Sequence, residues 1–288
     1  MTSNMRSIYE DVNYYFKSLG LFLSRAKTCI NDLGNRQWLE LLTDLSFDAD
    51  KEIRLLTIGT GKGDRDCLLI QHLSKRYNKL HVTVVEPAKR QLDEFKNKAA
   101  KITEDFPGVS FEWHVKMFED YQNDHKKPDG TFHIVFAGHS LIYMKNWESA
   151  LDGMYNHVQP GGMLAVTVVH GQGFQGRLRK MYRDLEGCSL HLQTSDDVKR
   201  HLKTKNIEHL NEKELSREVD FDISDVFDES SDDGNVLLDF LVLRSQFRKT
   251  APPDHQAKVL KFLRDNSVKE NGRHWLHSGE EHVAARRL

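Results

Sequence analysis

A glycine-rich turn offers the first chemistry in the chain. Gly59, Gly61 and Gly63 follow a short apolar run and precede a helical pattern that starts near residue 64. Glycine permits positive φ and close backbone approach to a ligand, while a helix N-terminus offers free N–H donors. The pattern indicates either a nucleotide-like ligand or a tight turn without one. A dinucleotide fingerprint would place the third glycine one residue later, which disfavours a nicotinamide-dependent oxidoreductase.

A carboxylate ends the second apolar run, in the segment Val84-Val85-Glu86-Pro87. At the carboxyl end of a strand next to the glycine turn, Glu86 could accept hydrogen bonds from both hydroxyls of a ribose. The alternative is a surface glutamate that merely closes a strand. Together, the glycine turn and Glu86 favour a nucleoside-like ligand.

The elements that must position these residues are repeated strand and helix segments. Apolar runs alternate with helical patterns from residue 53 onward, which predicts an α/β fold with a doubly wound, mostly parallel sheet. Predicted strands cover 53–59, 80–86, 109–114, 132–138 and 163–170, and predicted helices cover 64–76, 88–104 and 146–157. The turn signal Pro160-Gly161-Gly162 precedes the fifth strand.

Further helices flank this core. Apolar residues from Ile8 to Leu23 recur at helical spacing, and Trp38 to Leu45 suggest a second helix, so residues 1–50 are predicted to form a helical lid. After the core of residues 51–170, substrate-side additions cover 171–270, with helices at 174–185, 195–204, 235–245 and 254–265. Residues 271–288 are predicted to be an irregular tail. The whole chain is interpreted as a single domain.

Composition limits the possible partners. The 288 residues carry a net charge of -2, so no basic field exists to attract nucleic acid or an anionic membrane. Three widely spaced cysteines indicate neither a disulfide framework nor a zinc cluster. No apolar run reaches the roughly 18 residues of a membrane span, and no signal-peptide pattern opens the chain. We therefore expect a cytoplasmic monomer that acts on a small molecule.

The glycine turn, the strand-end acid and the Pro-Gly-Gly turn together resemble class I S-adenosylmethionine-dependent methyltransferases over residues 53–170. The resemblance implies a Rossmann-like fold and S-adenosyl-L-methionine as the cofactor. It also implies that the glycine turn faces the methionine part, that Glu86 holds the ribose, and that Met117 and Phe118 lie beside the adenine. Methyl transfer of this kind requires no metal.

A longer resemblance extends over residues 5–254. The segments MRSIYED, VVEPAKRQL, FEWH, IYMKN, TSDDV, DISDVF, LLDFL and TAPPD are similar to those of histamine N-methyltransferases. This resemblance implies methylation of the imidazole nitrogen of histamine or a related biogenic amine. The implied cofactor contacts are Gly59, Gly61, Gly63, Glu86, Gln91, Phe118 and Gly138. Phe118 and Gly138 differ from the residues usual in that family.

On the acceptor side, Tyr15, Tyr143 and Phe240 match aromatic positions whose ring faces could flank an imidazole and attract an ammonium. Each could instead be a core residue. Phe174 lies in a segment, near residues 174 to 180, where histamine N-methyltransferases have tryptophans and this chain has none. The last, antiparallel strand that is usual in the sheet of these methyltransferases has no obvious counterpart in the C-terminal part of this sequence.

Two polar positions depart from the family pattern. Thr28 replaces a glutamate, and it cannot neutralise a desolvated ammonium. His139 replaces a glutamine, and it could be a general base or simply a satisfied histidine at a strand end. These departures leave two alternatives open: a methyltransferase for another small metabolite, or a paralogue that binds the cofactor without turnover.

Overall fold

The computed structural model describes residues 5–27, 39, 45, 47–124, 130–186, 193–210 and 216–288, without the side chains of 216–218. The strands in these ranges are β1 (Glu52–Ile58), β2 (Lys79–Val85), β3 (Val109–His114), β4 (Phe132–Gly138), β5 (Val158–Val169), β6 (Ser216–Asp222), β7 (Val268–Glu270) and β8 (Arg273–Arg286). The α-helices are α1 (Val12–Ser24), α2 (Asp64–Ser74), α3 (Lys89–Asp105), α4 (Phe118–Asp124), α5 (Trp147–His157), α6 (Phe174–Glu186), α7 (Ser195–Thr204), α8 (Asp232–Val242), α9 (Phe247–Thr250) and α10 (Pro253–Asp265).

The chain forms two compact units. The strand-rich unit comprises residues 35–168, 195–215 and 281–288, and the helix-rich unit comprises residues 1–34, 169–194 and 216–280. The assignment of the whole chain to one domain, and of residues 1–50 to a lid, stays a prediction. The second predicted helix of that lid lies almost entirely outside the described residues.

The strand-rich unit is built on five parallel strands in the order β3-β2-β1-β4-β5. β1 pairs with β2 from Glu52↔Lys79 to Ile58↔Val85, so these two strands end side by side. The strand order reverses direction at β1, and ligands of open α/β sheets bind at the carboxyl ends of strands at such a point. The predicted α/β fold with a mostly parallel sheet is confirmed.

Alternate residues of these strands fill two separate cores, because successive side chains of a strand point to opposite faces. Leu55 belongs to one core, which also contains Phe95 of α3, whereas Leu56 belongs to the other, which also contains Met154 of α5. All four residues are essentially inaccessible to solvent. The helices therefore cover both faces of the sheet. Because both faces are buried, the sequences of these strands are nearly continuous apolar runs.

The prediction of an irregular tail over residues 271–288 is wrong, because residues 273–286 form β8. Gly161 N–H donates to the Arg287 carbonyl at 2.7 Å and Arg287 N–H donates to the Gly162 carbonyl at 3.0 Å. Two residues thus oppose one, and Gly161 has φ 79°, which is the pattern of a G1 bulge in an antiparallel pair. Val283, Ala284 and Ala285 of β8 are buried. Alanine has little strand preference, so the pairing rather than local propensity creates this strand.

The helix-rich unit has its own apolar core. Phe22 of α1 stacks on Phe221 of β6 at 4.1 Å between ring centroids, and it also contacts Phe240 of α8 at 4.8 Å. The chain after α1 continues along β6, where Lys27 N–H donates to the Asp220 carbonyl at 2.7 Å. None of the described helices combines the length and apolar character that a membrane span requires.

We predict that Ala284→Asp lowers the free energy of unfolding by roughly 3 kcal/mol or more, because it places an unpaired charge in a closed core. Ala284 is 1% exposed and lies in the core that contains Leu55. Urea denaturation measures the change. The matched control is Leu288→Asp, at a side chain that is 99% exposed. Equal, small effects of the two substitutions would contradict the presence of β8.

Candidate functional site

The glycine turn connects β1 to α2 and is held by close packing at both ends. Gly59, Gly61 and Gly63 all have positive φ, at 64°, 54° and 71°. A Cβ at Gly59 would lie 2.3 Å from Cβ of Ser140, and a Cβ at Gly63 would lie 2.2 Å from the Phe95 ring. These two positions therefore require glycine for both conformation and space.

Gly61, in the middle of the turn, differs from its neighbours. A Cβ there would meet no atom within 4 Å, so open space lies beside this residue. Its N–H donates to Oε2 of Glu86 at 2.8 Å. The turn thus presents backbone to a free volume beside an acidic side chain, which suits a ligand that approaches the backbone closely.

Glu86 follows β2 and is only 6% exposed. Its Oε2 accepts from Gly61, and its Oε1 accepts from the N–H of Ala88 at 2.8 Å. Burial raises the pKa of this carboxyl, while the two backbone N–H donors oppose that shift. A carboxylate has about four acceptor sites. Because the backbone uses two of them, capacity remains for the two hydroxyls of a ribose, so these residues fit a nucleoside-type cofactor.

Asp66 is a buried carboxyl beside this site that the sequence analysis missed. It lies on the first turn of α2 and is 4% exposed. Burial raises its pKa to about 7, and the nearby negative charge of Glu86 acts in the same direction. A signal for it existed, since Asp66 shares helical spacing with the apolar residues Leu69, Ile70 and Leu73 that face the core.

The other predicted cofactor contacts differ in their surroundings. Gln91 is half-buried on α3, and Gly138 ends β4, where a Cβ would lie 3.3 Å from Phe136 and 3.5 Å from Arg65. The Phe118 side chain is 2% exposed and contacts the rings of Tyr121 and His157 in the core. Its position beside adenine stays a prediction, as do the other predicted site roles.

His139 and Tyr143 lie directly after β4. His139 is half-buried and adopts a left-handed conformation with φ 55°, and its N–H donates to the Thr167 carbonyl at 2.8 Å. Its neighbour Ser140 is the residue that packs against Gly59. The Tyr143 side chain is 43% exposed at the end of a 3₁₀ helix, Leu141–Tyr143. His139 therefore directly precedes, in sequence, the residue that packs against the glycine turn.

The remaining predicted acceptor residues belong to the helix-rich unit. Tyr15 and Phe240 come together with their ring centroids 6.2 Å apart. Phe174 is 2% exposed and contacts Phe262 at 5.4 Å, so its side chain is a core residue. Thr28 lies outside the described residues.

Comparison with known proteins identifies the family of this chain. Residues 31–217 match the family described as a methyltransferase domain. The chain belongs to this methyltransferase family. It is 28% identical to the histamine N-methyltransferase of Bos taurus over 283 residues, or 95% of each protein, and 26% identical to that of Cavia porcellus, over 91% of each. The resemblance noted in the sequence is confirmed, and the protein is an S-adenosylmethionine-dependent methyltransferase.

Solved structures show the same fold for this methyltransferase. The YcgJ protein from Bacillus subtilis superimposes with a TM-score of 0.52 and 14% identity, covering 87% of this chain and 98% of its own. A protein from Bacillus halodurans described as a methyltransferase gives a TM-score of 0.53 and 16% identity, covering 86% and 98%. The Rossmann-like class I methyltransferase fold is thereby confirmed.

We predict that Glu86→Gln weakens binding of S-adenosylmethionine by about 1 to 3 kcal/mol, because charge-assisted hydrogen bonds become neutral ones. Isothermal titration calorimetry measures the dissociation constant. Glu104→Gln, on the exposed surface of α3, is the control and should leave that constant unchanged. An unaltered affinity in the Glu86 variant would refute its assignment to the ribose.

Asp66 should make the stability of this methyltransferase depend on pH. Its folded pKa of about 7 exceeds its ordinary value of 3.8, so the folded state binds this proton more tightly than the unfolded chain. That contribution is complete below pH 3.8 and is lost as the pH rises through about 7. Between pH 5 and pH 8 the wild type should therefore lose on the order of 2 kcal/mol more unfolding free energy than Asp66→Asn.

Urea denaturation at the two pH values measures this difference. Asp105→Asn, at an exposed carboxyl that ends α3, serves as the control and should retain the wild-type loss. A parallel loss in the wild type and in Asp66→Asn would show that another group causes it.

Proposed function

We propose that this methyltransferase is a small-molecule N-methyltransferase that transfers the methyl group of S-adenosylmethionine to a nitrogen of histamine or a related imidazole or amine. The observation that carries the proposal is the buried Glu86 carboxylate, bonded to Gly61 beside open space. The end-to-end similarity to proteins named histamine N-methyltransferase supports the acceptor class.

The residues of the strand-rich unit would hold the cofactor through both backbone and side chains. Glu86 would accept the ribose hydroxyls, and the turn around Gly61 would lie against the methionine part. Gln91, Phe118 and Gly138 complete the proposed contacts. S-adenosylmethionine, when bound, would supply a methyl group on a sulfonium sulfur. A nitrogen lone pair would attack the methyl carbon in line, and the sulfur would leave as a neutral thioether. The contribution of the protein is then alignment and exclusion of water, without a metal.

His139 is the proposed general base. The ordinary pKa of an imidazole lies near neutral, so this side chain could accept a proton from the acceptor as the nitrogen–methyl bond forms. The proton would come from the attacking nitrogen of an amine, or from the other ring nitrogen of an imidazole. The hydrogen bond to Thr167 and the contact of Ser140 with Gly59 fix the backbone on which His139 stands. This fixed backbone supports the assignment of His139 as the base.

Aromatic side chains are the proposed acceptor contacts. Tyr15, Tyr143 and Phe240 offer ring faces or edges that suit an imidazole, whereas the buried Phe174 would act only by packing behind them. Thr28 supplies a hydroxyl but no negative charge, which favours an acceptor that binds as the neutral amine. The same substitution favours a second candidate, a methyltransferase for a small metabolite other than histamine. We also propose that the enzyme is a cytoplasmic monomer.

Incubation with S-adenosylmethionine and a panel of imidazoles and biogenic amines, followed by mass spectrometry, tests the proposal. We expect a product 14 mass units heavier than its acceptor, one CH₂ being the net gain of an N-methylation.

His139→Asn should lower kcat by about 100-fold, the usual order for loss of a general base, while cofactor affinity remains unchanged.

The control is His81→Asn, at a histidine near the amino end of β2 that hydrogen-bonds Ser110. It should leave kcat unchanged. If the wild type and the His139 variant formed methylated product at equal rates, His139 would not be the general base. Cofactor binding without product from any acceptor would instead support a paralogue without turnover.

A further inference from the structure

Helix α3 contacts the glycine turn through one of its faces. Gln91, Glu94, Phe95 and Lys98 recur at helical spacing, and three of these four contact the turn directly. The Phe95 ring occupies the place where Gly63 would carry a Cβ. The Glu94 carboxylate pairs with the Lys62 ammonium at 3.1 Å. A single helix face therefore supports the turn on the side of Lys62 and Gly63.

Lys98 makes the most specific of these contacts. Its ammonium donates to the backbone carbonyl of Lys62 at 3.0 Å. The same ammonium donates to the carboxylate of Asp64, the first residue of α2. Lys98 thus connects α3 to both the last peptide of the turn and the start of the following helix. The Lys62 peptide lies between Gly61, which faces open space, and Gly63, which is packed against Phe95.

The turn needs such support because of its composition. Three glycines in five residues lose more backbone entropy on ordering than any other residues would. Gly59 and Gly63 are fixed by packing, but Gly61 has no neighbour that limits it sterically. The conformation at Gly61 therefore depends on hydrogen bonds. Its own N–H donates to Glu86, the Gly63 N–H donates to the Thr60 carbonyl at 2.9 Å across Gly61 and Lys62, and Lys98 donates to the carbonyl of Lys62.

We propose that Lys98 is a positioning residue for the cofactor, which holds the glycine turn in its binding conformation through the Lys62 carbonyl and Asp64. The inference rests on the proposed placement of S-adenosylmethionine at the glycine turn and adds a residue that does not itself touch that cofactor. A preformed turn avoids the entropy of ordering at the moment of binding, so its loss weakens affinity.

Calorimetry with S-adenosylmethionine and the full chain tests the inference. Lys98→Met keeps the aliphatic stem and removes the ammonium, and it should raise the dissociation constant roughly threefold to tenfold, as expected for one charged hydrogen bond at a partly exposed site. Lys98→Arg can still donate to both oxygens and should bind within error of the wild type. Lys98→Met should lower the melting temperature of the ligand-free protein by only a few degrees, so every variant remains folded during the titration.

Lys101→Met is the matched control, since it removes the same charge from an exposed position one turn further along α3. It should bind as the wild type does. The inference is overturned by unchanged affinity in Lys98→Met, by equal weakening in Lys101→Met, or by failure of Lys98→Arg to restore binding. In each of these cases the wild type still binds the cofactor, whereas absence of binding by the wild type would refute the proposed function itself.

Discussion

The hydrogen bond from Gly61 to Glu86 is the interaction on which the proposed donor site depends. It joins the turn after β1 to the end of β2, and it can form only because the two strands pair in parallel and end side by side at Ile58 and Val85. A one-residue change of register would turn Glu86 to the opposite face of the sheet. The sheet therefore fixes the distance between the carboxylate and the open space at Gly61.

Burial gives this bond its significance. A carboxylate that is 6% exposed would be costly if it had no donors, and the N–H groups of Gly61 and Ala88 supply two. Asp66 lies close enough that its own proton responds to the charge of Glu86. The site thus keeps one carboxylate bonded to backbone and a second carboxyl whose proton is retained to about pH 7. This arrangement limits the negative charge that accumulates beneath the turn.

The local sequence predicted the parts of the fold that local patterns determine. The five parallel strands and the helices between them follow from short apolar runs and helical spacing, and the predicted positions of β3, β4 and α7 match the structure residue for residue. β8 could not be found in this way, because its Ala284-Ala285 segment carries no strand preference and is ordered by pairing with a distant partner. Asp66 was detectable from its spacing, but the contacts of Lys98 depend on how α3 packs.

The two sides of the proposed reaction depend on the sequence in different ways. At the proposed donor side, the turn would act through its backbone conformation, because the N–H groups of Gly59, Gly61 and Gly63 already donate within the protein. Lys62 can therefore occupy the turn while its carbonyl and ammonium are held from α3. At the proposed acceptor side, recognition would depend on side-chain type, because the Thr28 and His139 of the proposed site would determine which acceptor charge can be bound. Relatives that are 26% to 28% identical can therefore share donor geometry while their acceptors differ. For this reason the acceptor must be identified from the methylated product, because the fold does not determine it.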